Sequence, residues 1–472
     1  MQASLRAANT VPPRLPGWRA KSSSAARVIP KSVATGTGGC ADTMEHLDVA
    51  IVGGGPGGLA AAAAILTARP ELRVAVFERS TLRPRGASLG VQPNGVRALG
   101  AISPKLEAAV RRLDSQPGIR RHFADNDSLI SVKDEDGPLK YVARHGGGPI
   151  IICAWHSLQG TLAAELPEGV LRQLAPLDRY EDSAGSASDG DDGLTLHFVA
   201  ETHPPVKARL VVGADGSQSG VRAQLLNDGP PLFADTAIWR AVQPRPSWWF
   251  PEPGAYCVFG TPPHMMLCFG LVDGSVAWQA FGPWPKERLD EIGGGRMAYT
   301  PDPVARREAG EARRARALQV FGGCCSMAVS LIKEAEALAI TEHGQFYRTA
   351  ESCKVWGRGR VSLLGDAAHL STPILSQGTA QAFEDALALG RAIGEHGATP
   401  EALRAYEAVR QPLASPHAAA CARQRATSGI VGICLHCLLR CSEQKCAALP
   451  DPFFCRPCPS PVPTALSFSK SA

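Results

Sequence analysis

Three stretches of this chain combine residue types and spacings that suit the binding of a nucleotide. The first is Gly53-Gly54-Gly55-Pro56-Gly57-Gly58. Gly53 allows a tight turn, Gly55 lets a pyrophosphate approach bare backbone, and Gly58 lets the following helix pack close to the preceding strand. Glu78 stands twenty residues beyond Gly58, where a carboxylate accepts hydrogen bonds from an adenosine ribose, and Arg79 follows it. The second stretch is Gly213-Ala214-Asp215-Gly216-Ser217-Gln218-Ser219. The third is Gly365-Asp366-Ala367-Ala368-His369, continued by Pro373, Ser376-Gln377-Gly378 and Glu384-Asp385-Ala386. Bare glycine backbone and separated carboxylates serve binding rather than acid–base work. No HExxH, no GK[ST] phosphate loop and no nucleophile elbow accompanies them. Scattered histidines such as His156, His264 and His343 form no acid–base pattern, and no catalytic residue is assigned.

Particular elements must hold these residues in place. Asp48–Val52 reads as a short apolar strand running into the glycines, and Leu59–Leu66, rich in Ala and Leu, as a helix. The start of that helix offers free N–H groups and a partial positive charge to an anion. Arg73–Phe77 is a second strand ending at Glu78, so strand, glycines, helix, strand and acid follow in the order of a βαβ nucleotide-binding unit. An apolar strand through Leu210 and Val212 delivers Asp215, a later strand is expected to end at Asp366, and a helix is expected to start near Gln377. Trp239-Arg240, Tyr256–Phe259, Met265–Phe269 and Val276–Phe281 read as strands. Asp178–Gly193, acidic and rich in Gly and Ser, reads as a loop between strands. From Arg404 onward, Tyr406, Val409 and Leu413 suggest a closing helix, broken by Pro412 and Pro416.

Taken together, the glycine loop and the blocks at 210–219 and 359–386 resemble the FAD-dependent aromatic hydroxylase family. That family includes para-hydroxybenzoate hydroxylase, salicylate hydroxylase and the zeaxanthin epoxidase-like enzymes. Arg85–Leu99 resembles the family's segment after the ribose acid, and the likeness covers roughly residues 46–427. It implies an α/β fold: a Rossmann-like FAD-binding domain, residues 46–230 and 346–427, interleaved with a mixed β-sheet substrate domain, residues 231–345, and closed by a C-terminal helix. It implies FAD as cofactor and NAD(P)H as co-substrate. The implied reaction is hydroxylation or epoxidation of a small aromatic or isoprenoid-like substrate with O2, through a flavin C4a-hydroperoxide. A reductase or halogenase of the same fold and a non-catalytic flavoprotein are the alternatives. Asp215 and Gly216 would help hold FAD, with Arg222 either a pyrophosphate partner or a solvated helix charge. Gly365 and Asp366 would meet the flavin's ribityl hydroxyls, Gln377 would open a helix aimed at the pyrimidine edge, Gly378 would permit close approach, and Pro373 would line the ring.

Departures from the family pattern are equally specific. Trp155 stands where the family has the Arg of Arg-x-x-Leu-x-x-x-Leu, before Leu158 and Leu162, and Gln159 is left to supply hydrogen bonding to the flavin chain. Ser376 replaces the first glycine of Gly-Gln-Gly, and Leu370 replaces the proline after His369.

The 472 residues are 44% hydrophobic and 20% charged, which excludes a wholly disordered chain and leaves room for two or three domains. The net charge of +5 comes from residues 1–41, where Arg6, Arg14, Arg19, Lys21, Arg27 and Lys31 stand without a single acid. The remainder holds 43 basic and 44 acidic residues, so nothing indicates a nucleic-acid partner. Residues 1–45, basic and hydroxyl-rich, read as a transit peptide or as an ordinary disordered terminus. The plastid stroma is the expected location, with mitochondrion and cytoplasm as alternatives. The longest apolar run, Gly429–Leu439, is interrupted by His436 and too short to span a bilayer. Seven of the 14 cysteines fall between Cys421 and Cys458, within or beside a Pro-rich tail at 428–472. Cys434–Cys437 and Cys455–Cys458 have zinc-like spacings, but without a following glycine knuckle the expectation is an unstructured tail and no metal. The expected partners are a small organic substrate and O2, with the oligomeric state open.

Overall fold

Strands buried on both faces need unbroken apolar runs, and this chain supplies them at Val49–Val52, Val74–Phe77 and Leu210–Val212, all buried. The computed structural model describes residues 44–82, 88–115, 119–134, 150–182, 193–251, 254–261, 263–295, 303–373 and 376–428. The leader up to residue 43, the Arg85 end of the 85–99 segment and the cysteine-rich tail from residue 429 lie outside them. The chain begins β1 (Glu45–Val52), α1 (Pro56–Ala68), β2 (Val74–Glu78), β3 (Ser88–Val91), α2 (Pro93–Ile102) and α3 (Pro104–Arg111). It continues β4 (Ile119–Phe123), β5 (Leu129–Asp134), β6 (Ile151–Ala154), α4 (Trp155–Ala164), β7 (Leu171–Gln173), β8 (Leu177–Asp182), β9 (Leu194–Phe198), β10 (Val206–Gly213) and α5 (Gly220–Leu226). Then come β11 (Leu232–Pro244), β12 (Tyr256–Phe259), β13 (Met265–Gly270), β14 (Ser275–Pro283), α6 (Pro303–Phe321), α7 (Ser326–Glu334) and β15 (Thr341–Tyr347). The described part closes with β16 (Gly357–Arg358), β17 (Val361–Leu363), α8 (Asp366–His369), α9 (Gly378–His396) and α10 (Pro400–Ser428).

The first sheet runs β16-β17-β10-β1-β2-β7, with β17, β10, β1, β2 and β7 parallel. β9 adds antiparallel to the first half of β10, and β8 pairs with β9. β1 therefore sits between β2 and β10, and the glycine loop at its end lies between Glu78 and the Asp215 turn. The second sheet runs β15-β11-β14-β13-β12-β4-β5 and is antiparallel except where β12 meets β4. It draws β4 and β5 from residues 119–134, well before the 231–345 stretch. Alternation along β11 and β14 sends Trp239, Ala241, Trp278 and Ala280 into a core under α6 and α7, and turns Ile238, Arg240 and Gln279 to the other face.

Three boundaries differ from the sequence reading. The strand before Asp366 stops at Leu363, and Asp366 opens the four-residue helix α8. The first residues of the expected 178–193 loop belong to β8, because Tyr180 is buried and the Gln224 amide bonds both its N–H and its carbonyl; residues 183–192 lie outside the described residues. The closing helix starts at Pro400 and continues through Pro412 and Pro416. A proline removes one hydrogen bond and bends a helix. Here Ala402, Leu403, Tyr406 and Arg410 bury one helical face, and Ala414 is still buried beyond Pro412. That burial outweighs the lost bond.

Candidate cofactor and substrate site

The carboxyl ends of β2, β1, β10 and β17 stand side by side, which is where open parallel sheets carry ligands. A cavity of about 960 Å³ opens along them. Of the residues singled out from the sequence, Gly53, Gly55, Glu78, Arg79, Gln159, Asp215, Gly216, Asp366 and Pro373 form its walls. Gly58, Gly365, Gln377 and Gly378 are not among the residues that line it.

The glycine loop is shaped by contacts that no side chain tolerates. Gly53 has φ +111°, and a Cβ on it would stand 2.3 Å from the Ala214 carbonyl oxygen. A Cβ on Gly58 would stand 2.1 Å from the Gly53 carbonyl oxygen. Gly55 caps α1 at its N-terminus and has nothing within 4 Å of its Cβ position, so its face is open to the cavity. Pro56 at the first helical turn needs no N–H partner there. Glu78 accepts hydrogen bonds from Gly54 N at 2.9 Å, Ser80 N at 3.0 Å and Ser80 Oγ at 2.8 Å. A carboxylate has about four acceptor positions, so one is left for a ligand. Gln159 is buried and its Nε2 donates to the Gly54 carbonyl at 2.6 Å. One N–H of its amide thus steadies the loop, leaving the other N–H and the carbonyl for the hydrogen bonding expected of it. Trp155, one turn earlier on α4, lies on the cavity wall.

Asp215 is turned toward its own helix. Its carboxylate accepts from Ser219 Oγ at 2.5 Å and Val221 N at 3.1 Å, and burial raises its pKa against those bonds. Gly216 follows at φ +80° with nothing within 4 Å of its Cβ position. Arg222 meets neither expectation: it is neither a solvated charge nor a pyrophosphate partner. It is 1% exposed, its Nε bonds Asp228 at 3.1 Å, and Nη1 donates to the carbonyls of Ala367 and Ala368 at 2.9 Å each. With a further bond to the Ser352 carbonyl, it ties α8 to α5.

Asp366 is the opposite case. Its side chain is exposed to the cavity, where the protein walls around it raise its pKa, opposed only by His369. Among the described residues it accepts no hydrogen bond. Pro373 faces the same space. Ser376 sits at φ +49°, in the left-handed region that a glycine adopts without cost, so replacing glycine here leaves a strained backbone. Gln377 caps α9, and its Oε1 accepts from Asn94 Nδ2 at 3.1 Å, while the same Asn94 donates to Glu384 Oε1 at 2.8 Å. Asn94 lies within the 85–99 segment, where the sequence marks no site role for it. Its partners are almost 300 residues away, and no local signal announces them.

These features fit FAD. The group has a pyrophosphate for the bare glycine backbone at the start of α1, a ribose for the spare position on Glu78, and ribityl hydroxyls for the unpartnered carboxylate of Asp366. The cavity then continues to the inner face of the second sheet, where Ile238, Arg240, Gln279, Thr341, His343 and Gln345 line it. Arg240 was read from the sequence only as a strand residue and His343 was set aside. Their alternation with Trp239 and with the buried Glu342 was the available signal.

The chain is similar to known proteins over most of its length. It is 29% identical over 387 residues to 3-amino-4-hydroxybenzoate 2-monooxygenase PtnB3 of Streptomyces platensis, covering 78% of this chain and 86% of that protein. It is 28% identical over 389 residues to chloroplastic zeaxanthin epoxidase of Solanum lycopersicum, covering 78% of this chain and about half, 52%, of that longer protein. The crystal structure of Klebsiella pneumoniae HpxO complexed with FAD and uric acid shares the fold, with TM-score 0.63 and 20% identity over 80% of this chain and 87% of that one. Residues 46–420 match the family model described as FAD binding domain. The chain belongs to that FAD-binding family and resembles its aromatic monooxygenases.

Proposed function

We propose that the protein is an FAD-dependent monooxygenase that takes electrons from NAD(P)H and transfers one atom of O2 to a small aromatic or isoprenoid-like molecule. The observation that carries this reading is the continuity of one cavity from Gly55 and Glu78, past Asp215, to Asp366 and Pro373 and on to Ile238 and His343. Bound FAD would supply two-electron transfer and oxygen activation, chemistry that side chains lack. The chain's own part is to hold and shield. The Gly53–Gly55 backbone and the α1 N-terminus would take the pyrophosphate, Glu78 the ribose and Asp366 the ribityl hydroxyls. Pro373, which has no N–H to offer, would border the ring without competing for its hydrogen bonds. Residues 46–230 and 346–427 would serve as the FAD-binding part and 231–345 as the substrate part, with β4 and β5 completing the second sheet. The aminohydroxybenzoate named for the Streptomyces relative supports an aromatic substrate. The acid-free stretch 1–41 and the chloroplastic tomato relative support a plastid address.

The test is turnover by the full-length protein supplied with FAD, NADPH or NADH, and a panel of aromatic compounds in an oxygen electrode. The expected result is substrate-stimulated consumption of O2 and NAD(P)H in equal amounts, with a product heavier by one oxygen atom. Oxidation of NAD(P)H with no oxygen incorporated into any product would instead identify a reductase and contradict the reading.

A further inference from the structure

Arg240 on β11 and His343 on β15 both line the cavity. The strand register sets Arg240 opposite Thr341 on one side and opposite Gln279 of β14 on the other, and sets Ile238 opposite His343. Arg240 and His343 are therefore diagonal neighbours on one face of the sheet, about 7 to 8 Å apart at the backbone.

Neither has its hydrogen-bonding capacity met. Among the described residues, no carboxylate or carbonyl pairs with the Arg240 guanidinium, and its buried Nε has no partner. Gln279 beside it commits its amide donors to the carbonyl and hydroxyl of Ser88, at 2.9 and 3.0 Å. The Thr341 hydroxyl turns to the Arg240 carbonyl at 3.3 Å. No counter-charge comes from either side. Burial lowers the guanidinium pKa to about 10, so it is still a cation at neutral pH. His343 Nδ1 lies 2.8 Å from the Gly344 carbonyl oxygen. A carbonyl only accepts, so Nδ1 carries the proton and the partnerless Nε2 presents a lone pair. Burial, then repulsion from Arg240, lowers the imidazole pKa to about 3, which keeps the ring neutral. A half-buried guanidinium with its Nε buried and no counter-charge, beside an unfilled acceptor, is costly to maintain unless a ligand completes both.

We propose that Arg240 and His343 form a two-point substrate clamp, with Arg240 pairing with an anionic oxygen of an aromatic acid or phenolate and His343 Nε2 accepting from an O–H or N–H on the same ring. This rests on the cavity being the active site of the monooxygenase proposed above, and within that reading it selects ring acids over neutral isoprenoids. The clamp needs no residue of the FAD-binding loops, so the two proposals can fail separately.

Calorimetric titration of the FAD-loaded full chain with benzoate, 3-hydroxybenzoate, 4-hydroxybenzoate and methyl 4-hydroxybenzoate tests it. The acids should bind about ten- to a hundred-fold more tightly than the ester, in line with a charge-assisted pair, and at least one hydroxybenzoate should bind more tightly than benzoate. Arg240→Met should abolish the acid-over-ester preference, Arg240→Lys should retain part of it, and His343→Phe should abolish only the advantage of the ring hydroxyl. Removal of an unpaired, half-buried cation should leave the unfolding midpoint of Arg240→Met at or above that of the wild type, which a purely structural arginine would not do. An ester that binds as well as the acids, a preference that survives Arg240→Met, or no binding of any probe by the wild type would overturn the clamp. Failure to retain FAD would count against the proposed monooxygenase alone, and the same titrations on the FAD-free chain would still score the clamp.

Discussion

Asp385 takes three hydrogen bonds with no exposure to solvent, from Gly365 N at 3.0 Å, His369 Nε2 at 2.6 Å and Arg410 Nε at 2.7 Å. Burial alone would raise its pKa, but the charges and hydrogen bonds of His369 and Arg410 more than reverse that and lower it to about 2. A carboxyl with a depressed folded pKa contributes stability above its unfolded value of about 3.9 and loses it as the pH falls through the folded value. The contribution is on the order of 2 kcal/mol. Denaturant unfolding between pH 5 and pH 2 should therefore show a steeper loss of stability in the wild type than in Asp385→Asn, by about that amount. Parallel profiles would show that the residue is not ionised in the folded protein. The same residue illustrates what a sequence reveals. Gly53, Glu78, Asp215 and Asp366 were legible because glycine loops and strand-end acids are local patterns. Arg222, Asn94 and Arg240 were not, because their roles depend on atoms brought from more than 100 residues away.

At the scale of elements, α1 and α9 cross where both carry small residues. A Cβ on Gly390 would stand 2.7 Å from Ala64 Cβ and 2.9 Å from its carbonyl carbon and oxygen. Helix propensity favours alanine over glycine by up to about 1 kcal/mol, whereas forcing two buried helices apart costs about 1 to 3 kcal/mol. Packing should win, and Gly390→Ala should unfold at lower urea concentration than the wild type; a more stable variant would show that the helices are less closely apposed. Elements whose hydrophobic pattern and function coincide were legible: β1, α1, β2 and the start of α9. The path of α10 through Pro412 and Pro416 was not, since local proline chemistry argues for a break and only the buried face of Tyr406 and Arg410 argues against it.

On the scale of the whole molecule, three segments separated by more than 100 residues each converge on one cavity because β1, β10 and β17 are neighbours in a parallel sheet. The α/β class and the interleaving of two sheets were legible through the family resemblance. The recruitment of β4 and β5 into the second sheet was not, since β4 pairs with β12 across more than 120 residues and brings its hairpin partner β5 with it. Convergence is the central claim, and one FAD titration addresses it: the purified full-length protein and its Asp366→Ala variant, followed by flavin fluorescence. The wild type should bind one FAD per chain, and the variant should bind about ten- to a hundred-fold more weakly, the equivalent of a lost charge-assisted bond of about 1.5 to 3 kcal/mol. A wild type that binds no FAD, or a variant that binds it equally well, would contradict the account.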